Sequence, residues 1–202
     1  MRRAEYTPLT MPNDIYNKLT RAPDPRPART RAAILDAIDR LGMRNAEVSV
    51  ASIVAEAYLS RSSFYSQFKD LGDVVVQLIS EVADEMEAHD HRLRGSGRTD
   101  EANLGAVHML VAEMHRRRGL YAAVLGSSAS SETPRQVIDI ISSRFEHVVR
   151  VVAPPGADTR IWSVYMVAGA LAVLIDWVRS SNPVTPERMT ADIIEMMPDW
   201  IK

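Results

Sequence analysis

The sequence predicts an all-α protein with a three-helix head, a larger helical bundle behind it, and about nine helices in all. Three observations carry this. Apolar residues recur three and four apart in segment after segment, and no stretch of useful length alternates with the period of two that a strand requires. Side chains suited to capping stand at the start of these patterns: Ser49, Ser60, Asp70, and Thr185 followed by Pro186. From Ile161 to Val178 the chain is apolar almost all round, which suits a helix that several neighbours cover. The expected organisation is an N-terminal arm over 1–27, a head over 28–70 and a body over 71–202.

Residues 1–27 contain five prolines and little periodicity, and are read as a mobile arm with a short helix near Asn13–Leu19. Ala28–Leu41 carries an apolar stripe at Ile34, Leu35, Ile38 and Leu41, and Gly42 is placed to end it. Arg29 and Arg31 are expected in its first turn, where they can face phosphates or plain solvent.

The stretch Val48–Phe68 divides into two short helical patterns, Val50–Ala57 and Arg61–Phe68, separated by little more than Tyr58-Leu59. Helices so close must cross at a large angle, the geometry of a helix-turn-helix. Val50, Ile53, Val54 and Ala57 point inward from the first. Leu59, Phe64 and Phe68 close the small core. The outward face of the second helix is then Arg61, Ser62, Ser63, Ser66 and Gln67, small or hydrogen-bonding and free of acids. Such a face can enter a DNA major groove.

Asp70 caps a long helix to about Leu93 with a stripe at Val75, Leu78, Ile79, Val82 and Met86. After the break Arg94–Arg98, a helix from Asp100 to Arg118 turns Leu104, Val107, His108, Val111 and Met114 inward. A short helix over Gly119–Gly126 and a loop at Ser127–Ser131 follow. The next helix opens at Thr133-Pro134 and stops at Ala153–Gly156. A membrane span needs about 20 apolar residues, and Arg160 and Asp176 bracket fewer than that in the apolar helix. One of its faces is expected on the chain's own core and another on a second copy. Ala168, Gly169, Ala170 and Ala172 are small enough for close approach. The last helix, with Met189, Ile193, Met196, Met197 and Trp200, is expected beside it in the same interface.

Composition narrows the function. The 202 residues are 46% hydrophobic and 25% charged, with a net charge of −2. Residues 1–70 are net +3 and residues 71–202 net −5, so the positive excess lies with the helix-turn-helix. The chain contains no cysteine, which excludes disulfides, thiolate metal sites and a thiol nucleophile and fits a cytoplasmic protein. No glycine-rich phosphate loop, GxSxG elbow or HExxH helix is present, and the protein is not expected to be an enzyme. His89 and His91 are two apart on different helix faces, and no metal or cofactor is expected.

With these residues in place, the chain resembles the TetR family of bacterial transcriptional regulators. The likeness covers Arg31–Leu78. It rests on Ile34-Leu35, Ala37 and Gly42, on Ser49-Val50, Ile53 and Ala57, and on Ser60, Phe64-Tyr65, Phe68 and Asp70. A shorter likeness covers Ala168–Ala172 with Ile175 and Trp177. Three positions depart from the family pattern: Tyr58 where the turn usually has glycine, Leu71 where the fourth helix usually offers a lysine, and Val54 for a usual alanine. A tyrosine held at positive φ costs on the order of 1 kcal/mol, so the turn is expected to take another conformation. The neighbouring Lys69 can stand in for the missing lysine.

The resemblance implies a homodimeric repressor of a palindromic double-stranded DNA operator. A small apolar or aromatic effector in the body would set the spacing of the two heads. DNA contacts fall to Ser49, Arg61, Ser62, Ser63, Tyr65, Ser66, Gln67 and Lys69. Candidate effector contacts are Met86, His89, Met109, Tyr121, Trp162, Tyr165 and Met166. The dimer interface would use Ala168, Gly169, Ala172, Ile175, Met189, Ile193, Met196, Met197 and Trp200. An alternative is a TetR-like interaction protein that has lost specific DNA binding.

Overall fold

A computed structural model describes residues 25–126 and 132–201. The arm before Pro25 and the loop at Ser127–Ser131 lie outside the described residues. Among those described, nine helices and no strand occur: α1 (Pro25–Met43), α2 (Val50–Glu56), α3 (Arg61–Tyr65), α4 (Leu71–Arg94), α5 (Thr99–Arg116), α6 (Arg118–Leu125), α7 (Glu132–Val152), α8 (Thr159–Arg179) and α9 (Pro186–Glu195). Helices α1–α3 pack on one another as the head. In the body α4 packs on α5 and α7, α7 on α8, α6 on α8, and α9 on α5.

The head folds as its pattern requires. Ile34, Ala37, Ile38 and Leu41 of α1 meet Ile53 and Val54 of α2, and Phe64 and Phe68 complete a core that water does not reach. Val54 is buried in this core, so the departure from alanine is accommodated. Both α1 and α2 end in the same device. Asn45 and Tyr58 adopt φ of 50° and 55°. The N–H groups of Asn45 and Ala46 then reach back to Gly42 and Leu41, and those of Tyr58 and Leu59 reach back to Ala55 and Val54. This is the Schellman closure of a helix end, which satisfies the last carbonyls.

Two expectations are corrected here. Helix α1 does not stop at Gly42 but runs to Met43, and Asn45 supplies the left-handed residue. Gly42 serves packing instead, since a Cβ there would stand 2.7 Å from the Arg116 carbonyl oxygen. The turn does not avoid the left-handed region either. Tyr58 occupies it with its side chain 95% exposed, so the ring makes no packing contribution that offsets the strain. Tyr58→Gly is therefore expected to stabilise the protein by about 1 kcal/mol. Urea unfolding of both forms checks this, and an unchanged midpoint would mean the turn is unstrained.

The long helices also differ in detail from the pattern. Arg31 does not face outward toward phosphates. It pairs with Glu81 on α4, and its guanidinium lies 5.7 Å from the centroid of the Phe68 ring. Helix α5 ends at Arg116 rather than Arg118, and its inward face is Ala102, Asn103, Leu110, Val111 and Met114, with Leu104 and His108 exposed. Helix α9 does not lie along α8. It packs on α5, burying Met189 and Ile193 within the chain, while Trp200 meets Trp162 edge to face at 5.4 Å.

Candidate nucleic-acid interface, effector cavity and the joint between them

Helix α3 is short, and serine hydroxyls organise it. Ser60 Oγ accepts the Ser63 N–H at 3.1 Å and lies within hydrogen-bond distance of the hydroxyls of Ser62 and Ser63. Ser66 Oγ donates to the Ser63 carbonyl and accepts from Gln67 Nε2 at 3.2 Å. The result is a flat polar face carrying Arg61, Ser62 and Ser66, with Ser63 and Gln67 half-buried at its edge. Tyr65 projects from the same helix with its ring edge-on to Phe64, which fixes its direction through the head core.

Ser49 has its hydroxyl occupied. It accepts the Ser52 N–H at 3.1 Å, while the Ser52 hydroxyl accepts the Ser49 N–H at 2.9 Å, a reciprocal capping box. Lys69 is exposed beside the N-terminus of α4, where Asp70 and Asp73 take up the first N–H groups. Leu71 faces the packed side there, partly buried against the core. Gly72 lets α7 come close, since a Cβ on it would stand 2.7 Å from Thr133 Oγ1.

The body holds a cavity of about 490 Å³ between α4, α5, α7, α8 and α9. Its floor is aliphatic, formed by Ala83, Leu110, Ile141, Leu171 and Leu174, and Ile193 of α9 with Met197 just after it closes one side. Of the residues singled out from the sequence, Met86 and Met166 line it. His89, Met109, Tyr121, Trp162 and Tyr165 do not. His89 is turned into the α4–α5 contact, where a methyl group on Gly105 would collide with its ring. Tyr121 is fully buried elsewhere, Trp162 packs on Trp200, and Tyr165 points out of the chain. Sequence reading missed most of the lining because an aliphatic residue at helical spacing looks the same whether it faces a neighbour or a void.

The surface of α8 opposite the core is open. Ile161 is 65% and Tyr165 71% exposed, and Gly169 and Ala172 continue the row at helical spacing. A Cβ on Gly169 would meet nothing within 4 Å. Ala168 and Ile175 flank the row, half-buried. Met196 is exposed on a different element, and Met189, Ile193, Met197 and Trp200 are engaged inside the chain, so the α9 part of the expected interface is corrected. Among the described residues α8 is also the one helix long and apolar enough to cross a membrane by length and composition.

A third feature joins head and body. Arg117, between α5 and α6, is 5% exposed and forms an ion pair with Asp39 of α1, its Nε 2.6 Å from Oδ1 and its Nη2 donating to Oδ2 at 3.3 Å, while also pairing with Glu113. Glu113, 4% exposed, accepts further bonds from Arg116 at 2.5 Å and from the Tyr121 hydroxyl at 2.9 Å. Burial alone pushes the Glu113 carboxyl up. The charge of Arg117 and the hydrogen bonds from Arg116, Arg117 and Tyr121 outweigh it and hold the group below the ordinary glutamate value. Burial and the adjacent carboxylate push the Tyr121 hydroxyl well up. Close packing reinforces the joint, with Gly42 against Arg116 and Gly119 against Val48. Helix α5 thus lines the cavity with Val107 and Leu110 and ends at the contact that holds the head.

A polar helix-turn-helix face is joined through the Asp39–Arg117 contact to a helical body with an apolar cavity, an arrangement that suits a DNA-binding regulator. Residues 105–199 match the TetR C-terminal family described as "Transcriptional regulator C-terminal region". This match covers most of the body, and the head pattern over Arg31–Leu78 resembles the same family. Similar folds include FadR of Thermus thermophilus, a TetR-family transcriptional repressor in complex with lauroyl-CoA. That likeness has 14% identity over 82% of this chain and 92% of that one, with a TM-score of 0.58. A TetR-family regulator of Mesorhizobium loti is similar at 18% identity over 85% and 96%, with a TM-score of 0.55. No curated sequence matches significantly.

Proposed function

We propose that the protein is a homodimeric repressor in the bacterial cytoplasm, released from a palindromic operator by a small apolar effector in the body cavity. The observation that carries this is the placement of the cavity. Its walls include α4, which continues from the head, and α5, which ends at the Asp39–Arg117 joint. A ligand can act only through different affinity for two head positions. One that spreads or draws in α4 and α5 has a direct mechanical route to α1. Two heads of a dimer bind together only when their separation matches about one turn of DNA or a multiple of it. FadR, similar in fold, is a repressor and holds lauroyl-CoA, which agrees with this reading.

In this reading Tyr65 and Lys69 contact phosphates, Arg61 contacts guanine or phosphate, and Gln67 reads adenine. Ser62, Ser63 and Ser66 allow close approach, and Ser49 holds α2 in place through its cap. Tyr65→Phe is expected to weaken binding to all sequences alike, by about fivefold for one lost hydrogen bond. Gln67→Ala is expected to relax preference at one base pair, by about 1–3 kcal/mol of discrimination. Gel-shift titrations against single-base operator variants check both, and uniform loss for both would refute the assignment.

The proposal as a whole is tested by footprinting on DNA flanking the protein's own coding region, at low and physiological salt. Absence of any footprint at low salt selects the alternative, an interaction protein that has lost specific DNA binding. Strain at Tyr58 does not favour that alternative, since the head core closes without its side chain.

A further inference from the structure

We infer that the cavity takes an elongated alkyl ligand whose polar end is uncharged, entering tail first. This rests on the reading of the cavity as the effector site. Its polarity has one end. Along α4 the lining passes from Ala83 and Met86 to Asp90, His91 and Arg94, and along α5 from Leu110 and Val107 back to Asn103. Arg94 donates to Asn103, so the two polar ends coincide at one mouth. Arg144 and His147 of α7 add polar groups along the α4 side, Arg144 through its pairs with Asp84 and Glu87. The aliphatic floor lies at the other end of each helix. Among the described residues Phe145 is the only lining residue with a hydrocarbon ring, so the walls suit a chain better than a flat aromatic.

The charges at the mouth already have partners. Arg94 Nε stands 2.6 Å from Asp90 Oδ1, with both side chains mostly buried. Arg144 is 2.5 Å from Asp84 and 3.9 Å from Glu87. A ligand carboxylate would have to displace one of these acids or sit beside Asp90, whose side chain is mostly buried. A cationic end meets the same difficulty with the arginines. What the mouth leaves unused is the imidazoles of His91 and His147, which make no hydrogen bond or ion pair among the described residues. A neutral imidazole both donates and accepts, so it suits an alcohol, amide or ester.

The test compares three probes of one chain length, 1-decanol, decanoate and decylammonium, titrated calorimetrically into the full chain at neutral pH. Decanol is expected to bind at least about tenfold more tightly than either ion. Asp90→Asn frees Arg94, and is expected to raise decanoate affinity relative to decanol by about tenfold. Leu171→Trp fills the floor and is expected to abolish binding of all three, with Ala170→Leu as the substitute if the tryptophan variant does not fold. Decanoate binding as well as decanol, or failing to respond to Asp90→Asn, overturns the uncharged end and leaves the cavity reading standing. Binding of no probe, or binding that survives the filled floor, overturns both.

Discussion

Arg117→Ala is expected to destabilise the protein by about 3–5 kcal/mol, because it leaves two acids without the cation that compensates them. Glu113 would remain almost fully buried, with only Arg116 and the Tyr121 hydroxyl as partners. Asp39 would lose its close contact across the joint. Urea unfolding measures the loss, and a change below about 1 kcal/mol would show that solvent screens the pair. The double variant Glu113→Gln/Arg117→Met is expected to recover at least half of it, since removing both charges also removes the desolvation that each requires.

The same site gives stability a pH dependence of known sign. The Glu113 carboxyl is held below its ordinary value of 4.5 in the folded state. Its contribution is therefore complete above that value and is lost as pH falls through the lowered folded value. Between about pH 5 and pH 3 the wild type should lose more stability than Glu113→Gln, which has no such group to protonate. Parallel curves for the two proteins would contradict the assignment.

Ala172→Glu is expected to convert the proposed dimer to a monomer of 22.5 kDa and to lower operator affinity by about a hundredfold or more. The residue is exposed on α8, in the row formed by Ile161, Tyr165 and Gly169. A second copy packed there would bury the new carboxylate in an apolar interface without a partner. Each head would then bind alone and lose the effective concentration that pairing supplies. Within a single chain the substitution touches solvent, so the folded monomer should keep its stability to within about 0.5 kcal/mol. Light scattering with a gel shift separates the cases, and a dimer that persists would place the interface elsewhere.

Much of this architecture is legible in the residues. The caps at Ser49, Ser60 and Asp70 mark true helix starts, because the side chain that caps a helix is local to it. The buried set Ile34, Ile53, Phe64 and Phe68 follows from helical spacing for the same reason. Leu104 and Met189 show the limit. Both are apolar at helical positions, yet one is exposed and the other buried, because the path of α9 over α5 decides it. Gly42 looks like a helix terminator and is a contact residue, a role set by a carbonyl more than seventy positions away.

By itself the sequence determined the class of fold, the position of the helix-turn-helix and its acid-free face, since all three depend on periodicity and capping within some twenty residues. Tertiary structure alone decided where the cavity opens, which face of α8 is left bare, and that Glu113 and Arg117, spaced like an ordinary surface pair, are buried against Asp39. Those outcomes depend on how distant helices cross. A helical period states that a face is apolar, but not whether a neighbour, a void or a second chain will cover it.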